Sequence, residues 1–250
     1  GPFPPTRPRT PFGLHLFAGG NTVIPALVAG RPDTPAAQRA LRMLSQAMQL
    51  KLEARRAGRA AVIEVNAVNL TGHKLPTGYP GRRLWIRLWI SDAQGRVIFD
   101  SGAWDPATAR LASGEAARPH YSVITRPEQV QIFEARMADL SGRPTTSLVA
   151  AARFAKDNRI LPRGFDPAVL AKDGFSESWI APAGVEPDAR FAPGMCRTTY
   201  QVRVSSPGPL KIRAEALYQS INPLHLPKGL EVPVALLAPV RLCSAEVSLD

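Results

Sequence analysis

Cysteine is scarce in this chain, whose 250 residues include only Cys196 and Cys243. The two are too far apart to share a CxxCH motif, so the chain cannot attach a c-type haem through the usual two thioether bonds. The pair fits either one disulfide in an oxidising compartment or two buried thiols. Cysteine content by itself therefore leaves the compartment open.

Long apolar runs are absent too. No stretch approaches the 18 residues or so that a membrane-spanning helix needs, so the sequence predicts no transmembrane segment. No signal peptide is visible, although a mature or trimmed chain would not show one.

The motifs of common enzyme classes are also missing. The sequence has no GxSxG or SxxK motif for a nucleophilic serine, no phosphate-binding loop and no dinucleotide fingerprint. Its acidic residues are few and dispersed, with no evident carboxylate pair for glycoside hydrolysis. We therefore expect no enzyme activity from this chain alone.

Negative charge is in short supply: 31 Lys and Arg residues against 20 Asp and Glu give a formal net charge of +11. This excess favours acidic partners, such as anionic lipids, nucleic acid or the carboxylates of a cofactor. Nucleic acid is disfavoured because the arginines are scattered and no zinc-finger, RNP-type or basic-helix signature appears.

Proline, by contrast, is abundant, with 25 residues in 250. Many short runs of alternating apolar residues accompany it, for example residues 61–69, 84–91 and 129–137. Alternation with a period of two is typical of β-strands that bury one face. The sequence therefore predicts a mainly β fold, an immunoglobulin-like β-sandwich with long Pro/Gly-rich loops.

Three parts are distinguishable along the chain. Residues 1–33 are predicted to form an extended Pro/Arg arm followed by an apolar patch. Residues 34–58 are predicted to form one amphipathic helix, because Thr34 suits an N-cap and leucine and methionine recur at helical spacing after it. Residues 60–250 are predicted to form the β-sandwich, with a short helix near 145–157.

The most informative segment is the loop of residues 69–83, NLTGHKLPTGYPGRR, which lies between two strand-like runs. Its two prolines and three glycines are typical of a rigid, irregular connection, because Pro fixes one backbone angle and Gly permits unusual ones. Such a loop would hold His73 in one orientation. A neutral imidazole nitrogen held in this way is a good axial ligand for haem iron.

The other three histidines, His15, His120 and His225, also lie in loop-like contexts. His15 precedes the small residues of FAGGN, His120 opens a strand-like segment, and His225 is bracketed by prolines. None belongs to an HxxxH, HxH or HExxH metal-binding pattern. For each of them, an ordinary hydrogen-bonded loop histidine remains the alternative.

Four segments carry a family resemblance: His15 with FAGGN, NLTGHKLPTGYPGRRLWI, PHYSVITRPEQVQIFEARMAD and TTSLVAAARFAKDNRILPRGFD. Together they resemble stretches of the C-terminal, β-rich part of periplasmic multihaem c-type cytochromes, in the expected order and over most of residues 14–170. In such cytochromes, histidines outside the CxxCH motifs commonly serve as the second axial ligand of a haem bound elsewhere. The resemblance therefore implies that His73 and His15, and next His120, ligate the iron of haems on a partner.

The resemblance also implies supporting residues. Arg82 and Arg83, which close the loop, and Lys74 within it would bind haem propionates, because guanidinium and ammonium groups pair with carboxylates. A Cys196–Cys243 disulfide and a periplasmic or extracellular location follow from the same resemblance. Because it lacks CxxCH, the chain would itself hold no covalent haem, and any haem c would belong to a partner or a missing segment.

We therefore expect a haem-less subunit or domain of a multihaem cytochrome c electron-transfer assembly, with a structural or docking role inside a larger complex. The partner would be a multihaem cytochrome chain or segment. The sequence fits an excised domain and a natural haem-free subunit equally well. The alternative is a basic β-sandwich that binds acidic glycans or surface polymers, in which the histidines have ordinary roles.

Overall fold

β-Strands with alternating apolar residues are the main regular structure of this protein. The structure, a computed structural model, describes residues 18–172, 174, 180–185, 189–204, 208–227 and 229–250. His15 and the Pro/Arg arm that was predicted at the start of the chain lie outside these residues.

The helices and strands of the described residues are as follows. The helices are α1 Val23–Ala29, α2 Pro35–Leu44, α3 Pro167–Lys172 and α4 Val234–Leu237, with a 3₁₀ helix at Pro223–His225. The longer strands are β1 Met48–Ala57, β2 Ala60–Asn69, β3 Arg83–Ser91, β4 Val97–Ser101, β8 Ile132–Ala138, β10 Arg153–Asp157, β12 Met195–Arg203, β13 Leu210–Gln219 and β14 Val240–Leu249. The two-residue strands are β5 Trp104–Asp105, β6 Arg110–Leu111, β7 Val123–Ile124, β9 Pro144–Thr145 and β11 Phe191–Ala192.

The strands are arranged in two main sheets. The first sheet has the order β1-β2-β12-β11, and β7 pairs in parallel with β12. The second has the order β10-β8-β3-β13-β14, with β4 also paired to β3 and β9 to β8. The strands β5 and β6 form a small separate ribbon. Consecutive strands β2 and β3 lie in different sheets, so the loop of residues 69–83 passes from one sheet to the other.

The core lies between the two sheets. The alternating residues Ile63 and Val65 of β2, and Ile86 and Leu88 of β3, are buried in one cluster with residues of β12 and β13. Tyr200 of β12 packs edge-on against Phe99 of β4, with ring centroids 6.3 Å apart. Side chains from both sheets therefore share one apolar interior, and the mainly β, sandwich-like fold predicted from the sequence is confirmed.

The amphipathic helix is shorter than predicted. Its start is correct, because the Thr34 hydroxyl accepts a hydrogen bond from the Ala37 amide at 3.0 Å. The helix α2 ends at Leu44, however, and β1 occupies the rest of the segment that was predicted to be helical. A spacing of four residues, as between Met48 and Leu52, fits both a helix and a strand, and pairing along the whole of β2 selects the strand.

The short helix predicted near residues 145–157 is also wrong. The structure places strands β9 and β10 there, both paired with β8. Val149, between these two strands, is fully exposed. In β10, Phe154 pairs with Met137 of β8, and Lys156 and Asp157 of the same strand are buried.

Candidate functional site

The loop of residues 69–83 is anchored by a buried asparagine at the end of β2. The Asn69 side-chain amide donates to the backbone carbonyls of His73 at 2.7 Å, Ile160 at 3.0 Å and Leu161 at 3.2 Å. Its carbonyl oxygen accepts from the Thr71 amide at 2.8 Å. One side chain thus fixes the first turn of the loop and connects it to the segment after β10.

His73 is held through one ring nitrogen only. Its Nδ1 lies 3.0 Å from the Lys74 carbonyl oxygen and 3.1 Å from the Thr71 hydroxyl. A carbonyl can only accept, so the bond to Lys74 places the proton on Nδ1 and leaves the lone pair on Nε2. Within the described part of the chain, Nε2 has no hydrogen-bond partner, and the ring is exposed.

A cavity of about 140 Å³ adjoins His73. Tyr218 of β13 closes part of it and donates a hydrogen bond to the Gly20 carbonyl at 2.9 Å, which ties the segment before α1 to the second sheet. The lining is predominantly apolar: Ala18, Gly19, Gly20, Met43, Leu44, Ala47, Thr71, His73, Leu75, Pro76, Thr77, Arg82 and Tyr218. The cavity therefore combines an available imidazole nitrogen with an apolar wall.

Arg82 is the one cation in the lining of this cavity. Its Nη1 donates to the Thr77 carbonyl at 2.8 Å, and among the described residues it forms no ion pair with a carboxylate. It also lines a second, apolar cleft of about 220 Å³ beside α1. A guanidinium in this position remains able to pair with an anion from outside the chain.

Arg83, unlike Arg82, points into the protein interior. It is 2% exposed, and its guanidinium donates to Gln219 at 2.6 Å and to both oxygens of Glu115. The same group lies 5.2 Å from the ring centre of Trp85. Arg83 is therefore a buried structural residue, and the expectation that it binds a propionate is wrong.

Lys74 is likewise used inside the protein. Its ammonium pairs with Asp157 at 2.7 Å, and Arg159 pairs with the same carboxylate at 2.7 Å. Burial raises the pKa of Asp157, but hydrogen bonds and charge from Arg159 and Lys74 outweigh it, so the pKa lies below its ordinary value. Of the three cations predicted at the site, only Arg82 faces the cavity.

His120 has neither ring nitrogen available as a ligand. Its Nδ1 accepts from the side-chain amides of Gln131 at 2.9 Å and Asn158 at 3.1 Å, so the proton is on Nε2. That nitrogen lies 4.0 Å from the sulfur of Cys196, and the ring packs edge-on against Phe191. The prediction of His120 as an axial ligand is therefore contradicted by its packing.

The fold resembles that of a cytochrome. No protein-family model and no curated protein sequence matches the chain. Among solved structures, it is similar to a penta-heme cytochrome c552 from Thermochromatium tepidum, with a TM-score of 0.51 and 20% sequence identity. The match covers 83% of this chain and 41% of the cytochrome, so the chain spans less than half of that protein's length. At this identity the likeness concerns the fold alone.

The two cysteines do not form the predicted disulfide. Cys196 lies on β12 of the first sheet and Cys243 on β14 of the second, and both are thiols. The reason is their place in the sandwich: Cys196 is packed beside His120 and Tyr200 in the core, while Cys243 is only partly buried on another strand.

Two properties of the described residues as a whole concern membranes and metals. None of the described helices is long and apolar enough to cross a membrane. Across the described residues, no three His, Cys, Asp or Glu side chains are grouped so that they could hold a metal ion.

Sequence reasoning found His73 and Arg82 but missed the residues that position them. Asn69 and Tyr218 fix the loop and close the cavity, and neither was singled out. For Asn69 a local signal exists, since an Asn side chain often bonds the backbone two residues further on and so forms a turn, as Asn69 does with the Thr71 amide. Tyr218 is 145 residues from His73, as its number shows, so no local pattern could have placed it there.

Proposed function

We propose that this chain is a haem-free β-sandwich unit of a multihaem cytochrome assembly, in which His73 supplies an axial imidazole to a haem held by a partner chain or by an adjoining segment. Its role is structural, without bond-changing catalysis of its own, in a periplasmic or extracellular complex. The fold likeness to a penta-heme cytochrome supports this proposal, and so does the four-segment resemblance in sequence.

The state of the His73 ring carries the proposal. An iron ligand must offer an unprotonated nitrogen, and ligating histidines usually donate their other N–H to a backbone carbonyl. His73 meets both conditions through its bond to the Lys74 carbonyl. Among the described histidines, His120 fails them because its two nitrogens are engaged by neighbours.

The surroundings of His73 fit a haem as well. The apolar lining of the adjoining cavity suits a porphyrin edge, and Arg82 offers an unpaired guanidinium to a propionate. When bound, the haem would supply electron transfer. The chain's residues would orient the ligand, exclude water from part of the ring and balance its charge, which together tune the potential.

The glycan alternative has less support. A surface groove of about 350 Å³ on the second sheet contains Trp89, Arg213 and Arg241, which suits a sugar ring. Both arginines, however, are paired with carboxylates of the same groove, Glu246 and Glu215. The groove therefore lacks the uncompensated positive charge that an acidic glycan requires.

The test uses a haem c peptide that contains one CxxCH motif and has one axial position open. Titrating the intact chain into this peptide should convert the iron to a six-coordinate, low-spin form with a shifted Soret band. His73→Ala should weaken this conversion by about tenfold or more, since a coordinate bond is lost. His225→Ala is the matched control, and we expect it to leave the conversion unchanged.

A second experiment isolates the chain from the organism that produces it. The chain should co-purify with a polypeptide that stains for covalent haem after denaturing electrophoresis. The proposal fails if the peptide spectrum is equally affected by the wild type and by His73→Ala, or if the native chain is colourless and carries no haem-stained partner.

A further inference from the structure

A polar pocket of about 180 Å³, separate from the cavity beside His73, lies where β8, β9 and the 3₁₀ helix meet. It is lined by Arg136 of β8, by His225 of the 3₁₀ helix and by Thr145 and Thr146 at β9. Met137 and Pro144 complete the lining. Four side chains that can donate hydrogen bonds therefore converge on one small space, and no carboxylate is part of its lining.

The positive charge beside this pocket is only partly balanced by carboxylates. Arg136 is about one-third exposed, and its nearest carboxylate is Glu134, 3.7 Å away. Glu134 is already shared with the buried Lys156, whose ammonium lies at 3.2 Å. Two cations thus compete for one carboxylate, and the guanidinium of the more exposed one borders the pocket.

The His225 ring is partly buried, and the hydrogen bonds of the described residues include none to its nitrogens. Burial holds the pKa of His225 below its ordinary value, and the charge of Arg136 lowers it further. Glu134 opposes this effect, whereas Arg83 on the neighbouring strand adds to it. An imidazole placed beside two arginines is in a setting where an added negative charge would stabilise its protonated form.

We propose that this pocket binds a small oxyanion, held by the Arg136 guanidinium, by the imidazolium of His225 and by the hydroxyls of Thr145 and Thr146. The Thr145 hydroxyl already accepts from the Ser147 amide at 3.1 Å, so its own proton remains available to the ligand. Guanidinium and imidazolium groups form charge-assisted hydrogen bonds with carboxylate and tetrahedral anions alike. The proposal does not depend on the haem-ligating role of His73.

Binding should be coupled to proton uptake. A bound anion raises the pKa of His225 above its value in the free protein, so the complex takes up a proton. Affinity should therefore increase as the pH falls through the pKa of His225 in the complex and then through its pKa in the free protein, which burial holds below the ordinary value of about 6.5. Above this range only Arg136 and the hydroxyls hold the anion.

The test titrates sulfate and propionate separately into the intact chain, with the His225 ring proton observed by NMR. Sulfate represents a free tetrahedral anion, and propionate represents a carboxylate presented by a partner group. Tighter sulfate binding would indicate the first source, and tighter propionate binding the second. We expect saturation with a Kd of about 10 mM or below, from one or two charge-assisted bonds.

Arg136→Gln should weaken binding by about tenfold, because a charge-assisted bond is lost. His225→Asn should remove its pH dependence. The control is Arg143→Gln, which neutralises an exposed arginine in the turn between β8 and β9. The proposal is overturned if neither anion saturates the pocket, if the wild-type affinity does not change with pH, or if Arg143→Gln weakens binding as much as Arg136→Gln.

Discussion

The three described histidines, His73, His120 and His225, differ in what surrounds their ring nitrogens. His73 donates from Nδ1 to a backbone carbonyl and keeps Nε2 open, whereas His120 accepts at Nδ1 and places Nε2–H beside a sulfur. His225 lines a separate polar pocket with Arg136. The same side chain is therefore a candidate ligand in the first case, a packing element in the second and a candidate titrating group in the third.

Asn69 should be essential for the structure around His73. Asn69→Ala removes a buried side chain that bonds three carbonyls and two groups of Thr71. Leaving several of these groups unpaired should lower the free energy of unfolding by about 3 kcal/mol. Urea unfolding measures this, with Asn66→Ala as the control, because Asn66 is also buried but, among the described residues, its side chain bonds Arg197 alone. Equal losses in the two variants would contradict the anchoring role.

Asp157 should make stability depend on pH in the acid range. Its pKa is lowered in the folded state, so its contribution is complete above its unfolded value of about 3.9 and disappears as the pH falls toward the folded value. Asp157→Asn should cost about 3 kcal/mol at pH 7, since Lys74 and Arg159 are left without their carboxylate.

The difference between the wild type and Asp157→Asn should shrink when urea unfolding is repeated near pH 3. Asp33→Asn is the control, because Asp33 is exposed and pairs loosely with Arg31 at 3.8 Å. A difference that stays constant between the two pH values would argue against the buried ion triad.

Strands and helices were predictable from the sequence where apolar residues recur with a single clear spacing or where a cap is evident. Strands β2, β3 and β8 were located from alternation, and the start of α2 from its cap. The boundary between α2 and β1 was missed because propensity and spacing fit both structures there. Only the pairing of β1 with β2 decides it, and that pairing is not visible in the local sequence.

The helix α2 should depend on its N-cap. Thr34→Ala removes the acceptor for the Ala37 amide and should cost about 1 kcal/mol. At the other end, the exposed Ser45 hydroxyl bonds the Arg42 carbonyl, and Ser45→Ala should cost less than about 0.5 kcal/mol. Thermal unfolding of the two variants compares them, and a larger loss for Ser45→Ala would show that the cap is unimportant.

For the whole molecule, the packing of two sheets explains why the cysteines were misjudged. A pair of cysteines in a suspected periplasmic protein suggests a bridge, but Cys196 and Cys243 lie on strands of different sheets and are thiols. Burial raises the pKa of Cys243 to about 11, against the smaller effect of a backbone hydrogen bond from Leu50.

Thiol chemistry checks this arrangement. The unfolded chain should react with two equivalents of a thiol reagent without prior reduction, while the native chain should react slowly at pH 8, because Cys243 is then almost entirely protonated. Reductant should leave the melting temperature unchanged. Recovery of two thiols only after reduction would instead establish the disulfide that the family resemblance implied.

The amino-acid sequence by itself determined the mainly β class, the lack of a CxxCH motif, and the choice of His73 and Arg82 as candidates, because each depends on composition, alternation or a local motif. Tertiary structure alone decided which cations remain unpaired. Arg82 and Arg83 are adjacent in sequence, yet the strand start at Arg83 turns that side chain inward to Glu115 while Arg82 stays at the cavity. The partners that separate them, Glu115 and Gln219, are distant along the chain, and Gln219 meets Arg83 only because β13 pairs with β3.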